Sequence, residues 1–259
     1  MNMFSSTGMP SASASWNLQA MLKTSGISAD VQQHLAHVYA TLAACVLTAS
    51  LAAGAAIAFS DGSAMENQSW VGLICFFGAT GGSIWLQTEP AYNHQKRFGI
   101  LMMVSAFMGV SLSALIELAI EVDPTILITA FLMTTMVFLC FSGSALLATR
   151  RSYLYLGAIL SSALSTMVLL NFINIFFRSA MLYSANLYGG LVMFCGYVVF
   201  DTQMIIEKAS MGDKDSLRHA LELFLDFVSI FVRILIILIQ NAGKKNSSES
   251  SSSSRKNRN

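Results

Sequence analysis

Charge is scarce in this chain. Asp, Glu, Lys and Arg make up 11% of its 259 residues against 54% apolar residues, which excludes a single soluble domain, and the chain is too long for one membrane anchor. The composition is that of a polytopic membrane protein. A basic stripe is lacking as well: the net charge is +1, and the Lys and Arg residues fall in short loops and the tail, which excludes nucleic acid as a partner. Cysteine is sparse and unpaired. Cys45, Cys75, Cys140 and Cys195 each lie alone in a different apolar run, with no C-x-x-C pattern for metal or redox work, and read as small packing residues. Residues 1–30 lack both the apolar core of a cleaved signal and the arginines of a transit peptide, with Lys23 as their only base. The first spanning helix is then expected to act as an uncleaved targeting signal. Neither β-barrel alternation nor a long internal repeat is visible.

What is present is a series of apolar runs. A spanning helix needs about 20 largely apolar residues, and seven candidates run over 38–59, 70–86, 98–120, 126–148, 153–177, 187–206 and 217–239. The expected fold is therefore all-α, a bundle of six to seven transmembrane helices. Asp61-Gly62, Glu89-Pro90, Asp123-Pro124 and Gly212-Asp213 supply turn chemistry between them. Small residues recur at four-residue spacing in Ser105, Gly109, Ser113 and in Gly157, Ser161, Ser165, a pattern that lets helices approach closely in lipid. Basic residues alternate between connections, with Lys96-Arg97, Arg150-Arg151 and Lys208, Lys214, Arg218 on one side and Arg178 as the exception. That places the N-terminus in the cytosol. A full seventh span would send the basic tail to the opposite side, so the last segment is expected to be polar-striped or re-entrant, with both termini cytosolic. The chain divides into a polar cytosolic segment (1–33), a membrane domain (34–240) and a Ser/Lys-rich cytosolic tail (241–259).

Two aspartates stand inside apolar runs: Asp201 in VVFDTQ and Asp226 in LFLDFV. The seventh segment holds Glu222, Asp226, Ser229, Arg233 and Gln240, at offsets of four, seven, eleven and eighteen from the first, which is one narrow polar face of a helix. Ionisable residues in a membrane cost roughly 2.5–3.5 kcal/mol each on insertion scales, which makes function the default expectation; the structural alternative pairs Asp226 with Arg233. The midpoint between Asp201 and Asp226 falls in the MGDKDS loop, so an antiparallel hairpin sets both carboxyls at similar depth. If the helices rotate them face to face, the two share a proton and titrate as one unit, a pH sensor. Intramembrane aspartyl proteases also place one Asp on each of two helices, but their Gly-x-Gly-Asp and Pro-Ala-Leu motifs are absent here, and the chain is not expected to be an enzyme. A receptor is disfavoured by the cytosolic N-terminus. Two carboxylates fall short of the roughly 6–8 oxygens calcium takes, which suits passage of the ion better than storage.

His34 and His37 read as an interfacial helix start, without a third ligand for a metal. His94, in NHQKR, reads either as a solvated loop residue or as a group within reach of an aspartate on the sixth helix. Glu117 is an interfacial carboxylate or lines a pore entrance.

The stretches NHQKR, DPTILITAF, RRSYLYLG, FDTQMIIEKASMGD and LFLDFVSIFVRILIIL, within residues 31–243, resemble the Bax inhibitor-1 family, its plant members most closely. The resemblance implies an endoplasmic-reticulum protein that suppresses programmed cell death and acts in plant stress responses, lowering the store's calcium through a pH-sensitive leak. No cofactor is implied, calcium being the transported ion. The family's two-aspartate sensor falls on Asp201 and Asp226, and its basic latch falls loosely on Arg97 or His94, with Glu222, Arg233 and Glu117 as further latch or pore-lining candidates. The implied partners are the bilayer, other reticulum membrane proteins and calmodulin at the basic end around Lys244 and Lys245. The tail KKNSSESSSSSRKNRN departs from the family's Lys- and acid-rich ending, which points to phosphorylation control. A membrane scaffold that restrains death signalling without conducting ions is the alternative function.

Overall fold

A computed structural model describes residues 28–59, 65–147 and 154–256, and every regular element in them is a helix. These are α1 (Ala29–Ala58), α2 (Met65–Thr88), α3 (His94–Val122), α4 (Pro124–Leu147), α5 (Leu154–Phe177), α6 (Ala180–Ser210) and α7 (Ser216–Lys256). Asp61-Gly62, the Arg150-Arg151 pair and residues 1–27 lie outside the described residues. Six helices, α1 to α6, are long and apolar enough to cross a membrane. The fold is thus the polytopic all-α bundle expected.

Local chemistry sets the helix ends. Ser28 caps α1 by accepting a hydrogen bond from the Val31 N–H at 3.4 Å, and Ser179 caps α6 through the Leu182 N–H at 3.5 Å. Pro124 occupies the first position of α4, where its missing N–H costs nothing, while Asp123 Oδ1 accepts from the Thr125 N–H at 2.9 Å. Helix α6 ends at Ser210, and the chain turns at Gly212, whose φ of 99° is easy only for glycine; there the Asp213 N–H reaches back to the Lys208 carbonyl at 2.9 Å, a helix-terminating bond that starts the turn into α7.

Packing explains why α7 tolerates a polar stripe. It lies against α1, α3, α4 and α6, and Leu217, Leu221, Phe224, Ile230 and Leu235 are almost wholly buried. A helix surrounded by protein directs its polar groups to neighbouring helices instead of lipid. The last segment therefore takes the polar-striped form, one helix without a reversal along its described length.

The two small-residue stripes part company. Ser105, Gly109 and Ser113 are buried on α3, and a Cβ on Gly109 would collide with the Ala49 carbonyl of α1. The absent side chain is what lets these helices touch backbone to backbone. Ser161 and Ser165 on α5 are instead exposed, and each hydroxyl donates to its own helix, to the Gly157 and Ser161 carbonyls. The second stripe packs through its glycine: α5 lies against α6, and a Cβ on Gly157 would strike the Phe200 ring of that helix, while the two serines stay exposed. Gly109→Val is accordingly expected to destabilise the bundle by about 1–3 kcal/mol, the usual cost of overpacking, while Ser161→Val changes little. Thermal melts of the purified variants check this.

Candidate functional site

The α6–α7 hairpin brings Asp201 and Asp226 face to face. Their carboxyl groups lie close enough for hydrogen bonding, and Glu222, one turn before Asp226 on α7, adds its charge to both. Asp226 is 5% exposed and its Oδ2 is buried without a hydrogen-bond partner. Asp201 is half-buried. A buried carboxylate oxygen left unpaired is costly, and a proton held between two facing carboxyls relieves both the missing bond and the like-charge repulsion.

Residues flanking Asp201 fix its helix. Thr202 and Gln203 are buried; the Thr202 and Ser142 hydroxyls bond at 3.3 Å, Ser142 bonds onward to the Tyr39 hydroxyl of α1, and Gln203 Nε2 donates to the Ala145 carbonyl of α4. Asp201 is thereby anchored against α4 and α1, which limits how far α6 can rotate away from Asp226.

The structural alternative for Asp226 is not what the molecule adopts. Arg233 turns from Asp226: its Nη1 donates to the Ser229 carbonyl at 2.8 Å, and its guanidinium lies 4.3 Å from the centre of the Phe194 ring, a cation–π contact. Gly190 of α6 makes room, since a Cβ there would strike the guanidinium.

At the hairpin end, polar contacts tie the bundle together. Arg97, 4% exposed, grips Asp215 with two bonds, Nη1 to Oδ1 at 3.0 Å and Nη2 to Oδ2 at 2.5 Å, the fork geometry that gives Arg–carboxylate pairs their strength. Burial alone would raise the Asp215 carboxyl, but the bond from Arg97, the Arg218 backbone N–H and the Arg97 charge outweigh it and hold the group below its ordinary value. Glu222 sits 3.7 Å from Lys208 and 3.4 Å from Arg218. His34 Nε2 meets His219 Nδ1 at 3.0 Å, both rings buried.

The remaining candidates lie elsewhere. Arg97 reaches Asp215 and not the aspartate pair. His94 is exposed at the first position of α3 and is not among the groups acting on either aspartate. Glu117 is half-buried near the far end of α3. No group of three His, Cys, Asp or Glu placed to hold a metal ion occurs among the described residues. His34, near the start of α1, is 7% exposed and bonded to another helix, so it is held inside the bundle instead of facing solvent. His219 and Asp215 were invisible as partners: they lie 185 and 118 positions from His34 and Arg97, and the only hint was an arginine in the first turn of an apolar span that had to be paired somewhere.

A family model described as "Inhibitor of apoptosis-promoting Bax1" matches residues 31–243. Bax inhibitor 1 of Arabidopsis thaliana is 44% identical over 234 residues, covering 90% of this chain and 91% of the relative. Bax inhibitor 1 of Bos taurus is 47% identical over 232 residues, covering 88% and 95%, and that of Homo sapiens 46%, covering 88% and 94%. Identity thus does not set plant relatives apart from animal ones.

Proposed function

The chain belongs to the Bax inhibitor-1 family, and from that membership we propose that it suppresses programmed cell death from the endoplasmic-reticulum membrane through a pH-sensitive calcium leak gated by Asp201 and Asp226. One observation carries the reading: two carboxyls from adjacent helices face each other in the bundle interior, with one Asp226 oxygen buried and unpartnered. With the proton shared, the hairpin carries one negative charge and closes on itself. With the proton lost, two like charges in a poor solvent push α6 and α7 apart, and calcium passes without resting, since two carboxylates are too few oxygens to hold it. Glu222, held between Lys208 and Arg218, sets a third carboxyl group one turn from the pair. Arg97, fixed to Asp215, ties α3 to the α6–α7 turn and so limits the parting of the hairpin.

Purified protein in liposomes tests this: calcium efflux that changes with pH supports the leak, and liposomes no leakier than empty ones at any pH refute it. A scaffold acting through reticulum membrane partners is the second reading. It is favoured by the apolar lining of the bundle's large crevice, which gives an ion no polar route on that side, and it predicts the silent liposomes.

We place the N-terminus in the cytosol, and the positive charge of Lys244, Lys245, Arg255, Lys256 and Arg258 favours the same side for the tail, where the basic end binds calmodulin, although α7 itself runs without a reversal from the clamp end past Phe231 at the opposite end. A glycosylation acceptor added after Asn259 is expected to stay unmodified in microsomes. Its modification would place the tail in the lumen.

A further inference from the structure

A crevice of about 580 Å³ opens between α1, α3, α4 and α7. That volume falls in the usual range of roughly 300–1,000 Å³ for ligand sites. Its walls are apolar apart from Ser50, whose hydroxyl already donates to the Val46 carbonyl of its own helix, so the crevice offers a ligand no polar anchor. Water is a poor occupant of such a space, since apolar cavities stay dry. The floor is aromatic: Phe227 of α7 stacks edge-on with Phe131 and Phe138 of α4, with ring centres 6.1 and 5.6 Å apart.

Three features identify the occupant. The crevice is continuous with the surface the bundle turns to lipid, because Ile128 and Leu132 on its rim are 64% and 62% exposed. It is elongated along the helices: its lining runs from Val46 to Ala58 on α1 and from Gly109 to Ile120 on α3, about 16–18 Å at the helical rise. One leaflet's hydrocarbon is half of a core about 30 Å thick, so the crevice is as long as one leaflet is deep. All of its walls also lie at one end of the bundle, formed by the C-terminal halves of α1 and α3 and the start of α4. That end is opposite the Arg97–Asp215 clamp.

We propose that one acyl chain of a bilayer phospholipid enters this crevice from the side and rests on Phe224, Phe227 and Phe231 of α7. The site does not depend on whether the protein conducts calcium. Small side chains make the space: Ala49, Ala53 and Gly54 line the α1 wall, and a Cβ on Gly54 meets nothing within 4 Å. A larger residue at position 54 can therefore fill the crevice without displacing a neighbour.

The test uses the full chain in phosphatidylcholine nanodiscs doped with a phosphatidylcholine carrying a diazirine on its acyl tail. After irradiation, mass spectrometry is expected to find the label on the α7 peptide that holds Phe227 and Phe231. Gly54→Leu should reduce that label several-fold, and so should Ile128→Trp at the open rim, where a bulky side chain costs the fold little. Labelling of lipid-facing Phe172 and Phe176 on α5 should stay constant and serves as the internal standard. Absence of label on α7, undiminished α7 label in a folded Gly54→Leu or Ile128→Trp protein, or cross-links joining two copies of the chain at this crevice would each overturn the proposal.

Discussion

Asp201→Asn and Asp226→Asn are each expected to remove most of the pH dependence of calcium flux, and the double variant is expected to add little to either. The reason is the geometry of the hairpin. Two facing carboxyls titrate as one unit because the charge on each raises the cost of charging the other, and replacing either abolishes that like-charge coupling. Residues acting as a unit give strongly non-additive effects, whereas independent groups more than about 7–10 Å apart give additive ones. Asp201→Asn is the cleaner of the two substitutions. Asp226 is the more buried partner, yet removal of its charge strands no cation, since Arg233 is satisfied by Ser229 and Phe194. Flux measured across pH in liposomes, beside thermal melts, separates loss of sensing from loss of fold. A folded Asp201→Asn protein with an unchanged pH response would exclude the pair as the sensor.

The largest effect on stability is expected at Arg97. Removing one partner of a buried ion pair leaves the other charge uncompensated, at a cost of about 3–5 kcal/mol. Arg97→Ala leaves Asp215, whose side chain is 20% exposed, facing a void. Asp215→Asn retains a hydrogen-bond acceptor and should cost less, while Arg97→Leu combined with Asp215→Leu should recover much of the loss, because an apolar pair avoids desolvating two charges. The pH dependence follows from the sign of the shift. The folded Asp215 carboxyl is held below its ordinary value of 3.8, so its contribution is present above that value and is lost as the pH falls through the lower folded value. Unfolding followed from neutral to acid pH should steepen below about pH 4 in the native protein, and this part of the slope should be missing from Asp215→Asn.

Much of the fold was legible because spanning helices announce themselves as apolar runs, and all seven appear. Their ends were not. The sixth run, 187–206, reads as ending at Ile206, whereas α6 continues from Ala180 to Ser210, because helices project past the hydrocarbon into turns that polarity cannot distinguish from loop. The aspartate pair could be placed at equal depth by counting from the hairpin turn. Its rotation could not be read, since that depends on how Thr202 and Gln203 lock α6 onto α4. Arg233 shows the same limit: spacing along one helix offers Asp226 as a partner, and only the neighbouring helix supplies Phe194 and the gap at Gly190. Ser161 and Ser165 carry the same small-residue spacing as Ser105 and Gly109, but spacing does not reveal which members of a stripe a neighbouring helix covers: α6 closes on Gly157 and leaves the two serines exposed.

Infrared difference spectroscopy on the purified protein in lipid nanodiscs, taken through the pH range in which calcium flux changes, tests the shared proton most directly. The account predicts one protonated-carboxyl band that is lost over the same pH interval as the change in flux and that is altered by both Asp201→Asn and Asp226→Asn. A native spectrum with no carboxyl titrating in that interval, or a band indifferent to both substitutions, would contradict it.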